Sequence, residues 1–173
     1  MLVVGIQILI VLLLAVLVYQ DFKFRAISWI PLPILFVGFF ILAEQGNTLA
    51  EISRFFLCNL LFVFLQLAAL FVFFFIKEKR IFNIINTYHG LGDVLFTIVL
   101  CMAFSTVNFI HFYLCSLIIA IIGYKMFMFL RPVAREGVPT AGIIALTLAV
   151  LILVKYLIPG IDFYRDRFIA GIF

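Results

Sequence analysis

Six long apolar segments, separated by short polar ones, make up most of this chain. We place them at residues 2–19, 29–43, 55–76, 91–107, 109–130 and 138–158. About 20 consecutive apolar residues are enough for a helix to cross the hydrocarbon core of a bilayer. Continuous apolar segments also favour helices, which satisfy their own backbone hydrogen bonds in lipid. The pattern therefore predicts an all-α fold, a polytopic membrane helical bundle of about six transmembrane helices.

The connections between the segments are short, which favours a simple domain organisation. The fourth and fifth segments are separated by a very short polar stretch around residues 105–111, so a tight helical hairpin is expected there. The first segment lacks the basic start and the small-residue cleavage site of a signal peptide, and we expect it to remain as a helix. Without an internal repeat or a low-complexity tail, residues 1–173 are expected to form a single integral-membrane domain.

The composition agrees with a membrane protein and narrows the possible partners. The chain is 68% hydrophobic and 12% charged, whereas soluble domains average about 45–50% apolar and about 25% charged residues. We therefore expect the protein to lie in a lipid bilayer. The net charge of +4 is typical of basic cytoplasmic loops, so we expect no nucleic acid partner. The three cysteines form no CxxC pair, so neither a zinc ribbon nor a disulfide framework is predicted.

The basic residues fall unevenly on the two sides of the predicted bundle. Eight of the 12 basic residues lie on one side: Lys23, Arg25, Lys77, Lys79, Arg80, Lys125, Arg131 and Arg135. The other four lie on the opposite side: Arg54, Lys155, Arg165 and Arg167. The positive-inside rule places the first set in the cytoplasm. A location in the cytoplasmic (inner) membrane is then expected, with both chain ends outside.

Two acidic residues at the cytoplasmic edge are the candidates for chemistry. Asp93 ends the stretch His-Gly-Leu-Gly-Asp at 89–93 and opens the fourth apolar segment. A charged carboxyl costs about 2.5–3.5 kcal/mol at the centre of a membrane helix and less near the interface, so such a residue is a functional candidate by default. Gly90 and Gly92 remove side-chain bulk beside it and allow close approach of another backbone.

Asp21, at the end of the first apolar segment, is the expected partner of Asp93. A simpler interpretation of Asp21 alone is an ion pair with Arg25 at i,i+4 on a helix end, worth a few tenths of a kcal/mol. The predicted topology nevertheless places Asp21 and Asp93 on the same membrane face. Two carboxylates brought together there suggest acid–base chemistry on a peptide bond.

These residues carry a resemblance to a known family. Gly-Leu-Gly-Asp at 90–93, with the upstream Asp-x-x-x-Arg-x-Ile at 21–27, resembles the type IV prepilin peptidases and archaeal preflagellin peptidases, which are membrane aspartyl proteases of the GxGD type. The resemblance covers nearly the whole chain. Val-Pro-Thr-Ala-Gly at 138–142, which contains Pro139, is similar to the start of that family's last helix.

The resemblance implies a function and assigns the site residues. Asp21 and Asp93 would be the catalytic pair of an aspartic-type endopeptidase without cofactor or metal. Its substrate would be a prepilin-like protein (type IV pilin or pseudopilin) with a basic leader and a hydrophobic helix, cleaved at the cytoplasmic face. The chain departs from the family at Leu95, often Lys, and at Ser28, often Pro. It lacks the cysteine-bearing insert of the bifunctional enzymes, so we expect no methyltransferase activity.

Two other functions are compatible with the same aspartates. A proton-coupled carrier would use Asp21 and Asp93 as relay groups, because carboxylates inside membranes mark such pathways too. It predicts polar residues through the full membrane depth, but Gln7, Asn59 and Gln66 are scattered. A noncatalytic membrane scaffold related to the peptidases is the other alternative.

Overall fold

The computed structural model describes residues 2–78, 90–130, 139–157 and 161–164, and within these ranges the regular structure is helical, without a strand. Within these ranges six helices follow one another: α1 Leu2–Phe24, α2 Pro31–Ala43, α3 Leu49–Glu78, α4 Leu91–Leu100, α5 Thr106–Leu130 and α6 Thr140–Leu157. The predicted all-α fold is confirmed for this part of the chain.

Three of the helices are long and apolar enough to cross a membrane, as an integral membrane protein requires. They are α1 over Val3–Phe24, α3 over Leu49–Lys77 and α5 over Thr106–Met126. The other three apolar helices are shorter. The 10 residues of α4 rise only about 15 Å, half of a hydrocarbon core about 30 Å thick. The prediction of about six complete crossings is thus supported for three helices and stays a prediction for the others.

The fourth predicted segment, residues 91–107, is not one continuous helix. The helix ends at Leu100, and residues 101–105 form a turn that is buried in the protein. The side chain of Asn59 on α3 stabilises this turn, because its Nδ2 donates hydrogen bonds to the carbonyls of Cys101 (2.9 Å) and Phe104 (3.1 Å). The polar residues 105–111 therefore belong mainly to the start of α5, and the predicted hairpin turns earlier than expected.

A short segment at residues 161–164 ties several elements together at this end of the bundle. The Tyr164 hydroxyl lies 3.1 Å from the carbonyl oxygen of Phe39 on α2 and 3.2 Å from that of Met102 in the turn after α4. The carbonyl of Phe163 accepts a hydrogen bond of 3.0 Å from the backbone N–H of Ser105. Burial raises the pKa of Tyr164, which keeps its hydroxyl protonated as a donor.

The core lies between α1, α2, α4 and α6. Leu17, Leu35, Phe96 and Leu148, one from each of these helices, are essentially inaccessible. The closest pairing is that of α1 with α6, while α3 packs on α5 and α4 at the side of the bundle. Many side chains on the outer faces of the long helices are large and apolar, as is expected of helices that face lipid.

The end of α1 and the starts of α4 and α6 meet at one end of the bundle, where Gly142 is hydrogen-bonded to Asp21 and Thr140 to Asp93. We call this the aspartate end, since it carries both candidate aspartates. The turn at 101–105 and the segment 161–164 lie at the opposite end.

Candidate active site

Asp21 lies in the last turns of α1 and points at the start of α6. Its side chain is only 5% exposed. Its Oδ2 atom accepts a hydrogen bond of 2.6 Å from the backbone N–H of Gly142. The carboxylate that the sequence places at the end of an apolar helix is thus buried and engaged with another helix.

The start of α6 explains why Asp21 is held there. The carbonyl of Pro139 accepts the first helical hydrogen bond, from the N–H of Ile143 at 3.1 Å, so Pro139 occupies the N-cap position. A proline side chain cannot accept a hydrogen bond from the free N–H groups of the first turn. Asp21 supplies that acceptor from a different helix, and the partial positive charge of the helix N-terminus favours a carboxylate at this place.

Asp93 lies in the first turn of α4 and is also bound to the start of α6. Its Oδ2 atom accepts a hydrogen bond of 2.7 Å from the Thr140 hydroxyl. The Thr97 hydroxyl, one turn along the same helix, donates to the backbone carbonyl of Asp93 at 2.8 Å. Thr97 therefore steadies the backbone that carries the carboxylate, and Thr140 fixes the carboxylate itself.

The two predicted aspartates are brought together by a single helical turn. Asp21 is bound to Gly142 and Asp93 to Thr140, two residues apart in α6. The carboxyl groups are close enough for their charges to interact. Like charges held close together disfavour each other's ionisation.

Only one of the two motif glycines is required by close packing. A Cβ atom on Gly92 would lie 3.0 Å from the Cβ of Ile27, in the connection between α1 and α2. Gly92 therefore allows α4 to pack directly on the sequence that follows Asp21. Gly90 has φ −65° and ψ 140°, which any residue adopts, and a Cβ there would meet no described atom within 4 Å. The expected contribution of Gly90 to close approach is not seen in the described part of the chain.

Arg25 directly follows α1, close enough to Asp21 for their charges to interact. Its backbone N–H donates to the carbonyl of Asp21 at 3.1 Å, and its φ of 55° turns the chain out of the helix. The side chain is exposed, whereas that of Asp21 is buried against α6. The simpler interpretation of Asp21, a surface ion pair with Arg25, does not account for this burial.

The two departures from the family pattern fall at positions where the structure accommodates them. Ser28 donates from both its N–H (3.0 Å) and its hydroxyl (2.9 Å) to the Gln20 side chain, which closes the connection after α1. A proline there would lack the first of these donors. Leu95 is 37% exposed, on the outside of α4.

Sequence reasoning placed Pro139 at the start of the last helix but missed the neighbouring residues that bind the aspartates, Thr140 and Gly142. The combination of a small residue and a hydroxyl directly after a proline was the available signal. His89 and the basic residues Lys79, Arg80, Arg131 and Arg135 lie outside the described residues. Among the described residues, no group of three His, Cys, Asp or Glu side chains is placed to hold a metal ion.

Compared with known protein families, with curated proteins and with solved structures, the chain gives no match. The class of protein is therefore defined by the fold and the site alone: an α-helical membrane protein with two carboxylates paired on the first turn of one helix.

Proposed function

We propose that this chain is a membrane aspartyl endopeptidase, related to the type IV prepilin and preflagellin peptidases, which removes the leader of prepilin-like proteins. The observation that carries the proposal is the convergence of Asp21 and Asp93 on α6 through Gly142 and Thr140. The residues assigned by the motif resemblance are far apart in sequence, and they adjoin in the fold.

The proposed chemistry uses both carboxyl groups of Asp21 and Asp93. The ionised carboxylate takes a proton from water, whose oxygen forms a bond with the carbonyl carbon of the substrate. The protonated carboxyl donates its proton to the carbonyl oxygen, which gives a tetrahedral intermediate. When that intermediate collapses, the C–N bond breaks and the leaving amine takes a proton from the pair. Neither a nucleophilic side chain nor a metal ion takes part.

The substrate class is taken from the motif resemblance, and a site at one end of the helical bundle is compatible with it. A prepilin-like protein has a basic leader before a hydrophobic helix, and that helix can lie in lipid beside the bundle while the leader remains in water. We propose that the aspartate end faces the cytoplasm of the inner membrane. Lys23, Lys77 and Lys125, at the ends of three helices, are exposed at that end, in agreement with the positive-inside rule.

Labelling of introduced cysteines tests this orientation. Phe22 is exposed beside Asp21, and Gln45 is exposed at the opposite end. In intact cells an impermeant thiol reagent is expected to label Gln45→Cys and to spare Phe22→Cys, which should react only after the membrane is opened. Labelling of Phe22→Cys in intact cells, with Gln45→Cys protected, would mean the reverse orientation.

Leader removal by the purified protein tests the proposed function. The wild-type chain in proteoliposomes is expected to shorten a prepilin-like substrate, as seen on a gel, without adding a methyl group to the product. Asp21→Asn and Asp93→Asn keep the side-chain shape and an acceptor oxygen, so the hydrogen bonds to α6 can persist. Each should lower cleavage at least about 100-fold, the smaller end of the contribution of general acid–base groups. Asp162→Asn, at the opposite end of the bundle, is the matched control and should cleave normally.

A noncatalytic scaffold is the second candidate, because one observation favours it. Asp21 supplies a helix cap to α6, and such a cap can contribute to stability alone. In that case the wild-type chain would cleave no prepilin-like substrate, and Asp21→Ala would unfold the protein while Asp21→Asn would not.

A further inference from the structure

A cavity of about 510 Å³ lies at the end of the bundle opposite the aspartates. The start of α1, the end of α2 with the connection to α3, the last turns of α6 and the segment 161–164 form its wall. The volume falls in the range of about 300–1,000 Å³ that is typical of sites for small molecules and cofactors. None of the lining residues belongs to the candidate active site, so this cavity is a separate feature of the molecule.

The lining of this cavity combines buried apolar side chains with an exposed polar rim. Phe39, Ala103 and Ile152 in the wall are buried in the core. Gln45 and Gly46, in the connection after α2, also line the cavity and are exposed, so the cavity opens beside that connection. A molecule with an apolar part and a polar head matches such a lining.

Lys155 brings a positive charge into the wall. It lies in the last turn of α6 and is half-buried, and its Nζ is 4.7 Å from the centroid of the Phe163 ring. A contact with a ring face leaves the three N–H donors of an ammonium group available. Among the described residues, none accepts a hydrogen bond from this ammonium. A phosphate oxygen is a strong acceptor for such a group.

Asp162 brings a negative charge into the same wall. Its Oδ1 accepts a hydrogen bond of 3.0 Å from the backbone N–H of Tyr164. Asn108 on α5 holds the same segment, because its Nδ2 donates to the carbonyls of Asp162 (3.3 Å) and Phe163 (3.0 Å). A carboxylate has about four acceptor sites, so Asp162 can also bind a cationic group. Opposite charges in one wall favour a zwitterion over an ion of a single sign.

The position of the cavity along the helices is that of lipid headgroups. From Val3, in the wall, to Asp21 the helix α1 rises about 27 Å. The hydrocarbon core of a bilayer is about 30 Å thick. When the aspartate end lies at one membrane surface, the cavity therefore lies at the other, where phospholipids present their phosphate groups.

We propose that this cavity binds one zwitterionic phospholipid of the phosphatidylethanolamine type from the adjoining leaflet. The phosphate receives hydrogen bonds from Lys155, and the ammonium of the headgroup donates to Asp162. The glycerol and the start of an acyl chain lie against the apolar part of the wall. A lipid bound in this way links α1, α2 and α6 with the segment 161–164 and stabilises that end of the bundle.

Thermal unfolding of the delipidated protein in mixed micelles tests this site without a cleavage assay. Phosphatidylethanolamine at about 100 times its Kd should raise Tm by at least about 5 °C, and native mass spectrometry should show one lipid retained per chain. Phosphatidylglycerol has the phosphate but no ammonium, and should bind at least about tenfold more weakly. Glycerophosphoethanolamine, the same headgroup without acyl chains, should give no shift at the same concentration.

Four variants test the assigned contacts. Lys155→Gln should weaken the binding of phosphatidylethanolamine at least about tenfold, whereas Lys155→Arg keeps the charge and should bind normally. Asp162→Asn keeps an acceptor for Tyr164 and should reduce the preference over phosphatidylglycerol to less than about twofold. Arg54→Gln is the matched control and should bind normally, because Arg54 is exposed near the same end of the bundle, stacks on Phe55 at 5.6 Å and lies outside the wall.

Four results would contradict the inference. Equal Tm shifts with phosphatidylethanolamine and phosphatidylglycerol would mean that the two charges do not select the headgroup. Equal losses in Lys155→Gln and Arg54→Gln would indicate general attraction of lipid to basic residues. An equal shift with glycerophosphoethanolamine would make a soluble phosphoester the ligand, and no shift with any probe would mean that the cavity binds no lipid. Because the cavity is remote from Asp21 and Asp93, each of these results leaves the proposed peptidase function unchanged.

Discussion

Replacing Gly142 by alanine perturbs the point where α6 meets Asp21. A Cβ atom at Gly142 would lie 2.9 Å from the Oδ2 of Asp21, 3.0 Å from the Cδ2 of Phe22 and 3.1 Å from the Cβ of Asp21. The Cβ of Asp21 is fixed to the α1 backbone, so rotation of side chains alone cannot relieve all three contacts. We expect α1 and α6 to move apart, and the hydrogen bond between Gly142 and Asp21 to lengthen.

The expected change in stability is the balance of two effects of opposite sign. Alanine is favoured over glycine inside a helix by roughly 0.5–1 kcal/mol. Overpacking typically costs about 1–3 kcal/mol, and weakening a hydrogen bond to a charged group costs about 1.5–3 kcal/mol. Because both costs arise from the same displacement, they are not summed. The net expectation for Gly142→Ala is a loss of about 1–2 kcal/mol, or about 2–8 °C in Tm for a chain of this size.

Thermal unfolding in one detergent, followed by circular dichroism, measures this effect against a matched control. Gly123 lies in α5, and a Cβ there would meet no described atom within 4 Å, so Gly123→Ala should be at least as stable as the wild-type chain. At a temperature below the unfolding transitions of both variants, Gly142→Ala should cleave the leader at least about tenfold more slowly than the wild-type chain. The reason is that Asp21 and Asp93 are then no longer held in the same relative position. Equal stability and equal cleavage in the two alanine variants would refute the assigned role of Gly142.

Three further substitutions test the supporting contacts. Gly92→Ala should lower both Tm and cleavage, because its Cβ would lie 3.0 Å from that of Ile27; an unchanged cleavage rate at 25 °C would contradict this. Ser28→Pro removes both donors to the Gln20 side chain and should cost about 1–3 kcal/mol in denaturant unfolding, whereas no loss would show that the two bonds contribute little. Tyr164→Phe leaves two carbonyls without their shared donor, so Tm should fall while cleavage at low temperature stays unchanged.

The all-α fold and the choice of two aspartates as candidate site residues could be made from the sequence, because each rests on a local signal. Long apolar segments allow helices in lipid and little else. A carboxylate beside such a segment is costly enough to stand out, and this identified Asp21 and Asp93. Alternating helix directions then placed both at one end of the bundle, as the structure has them.

The end of α4 and the attachment of the pair to α6 were not predictable, because they depend on contacts between distant residues. Asn59 stabilises the turn after α4 from 42 and 45 residues away. The hydrogen bond between Asp21 and Gly142 joins positions 121 residues apart. No local pattern indicates that a helix will be capped by a side chain from another helix, although the proline at its start shows that a local cap is lacking.

The central claim is that Asp21 and Asp93 act as one catalytic unit, and a double-mutant cycle on leader cleavage tests it most directly. Initial rates are measured for the wild-type chain, Asp21→Asn, Asp93→Asn and the double variant, at equal amounts of folded protein in proteoliposomes. Residues that act as a unit are strongly non-additive, so the double variant should be no slower than the slower single variant. Full leader removal by Asp93→Asn, or losses that multiply in the double variant, would contradict the paired-carboxylate mechanism.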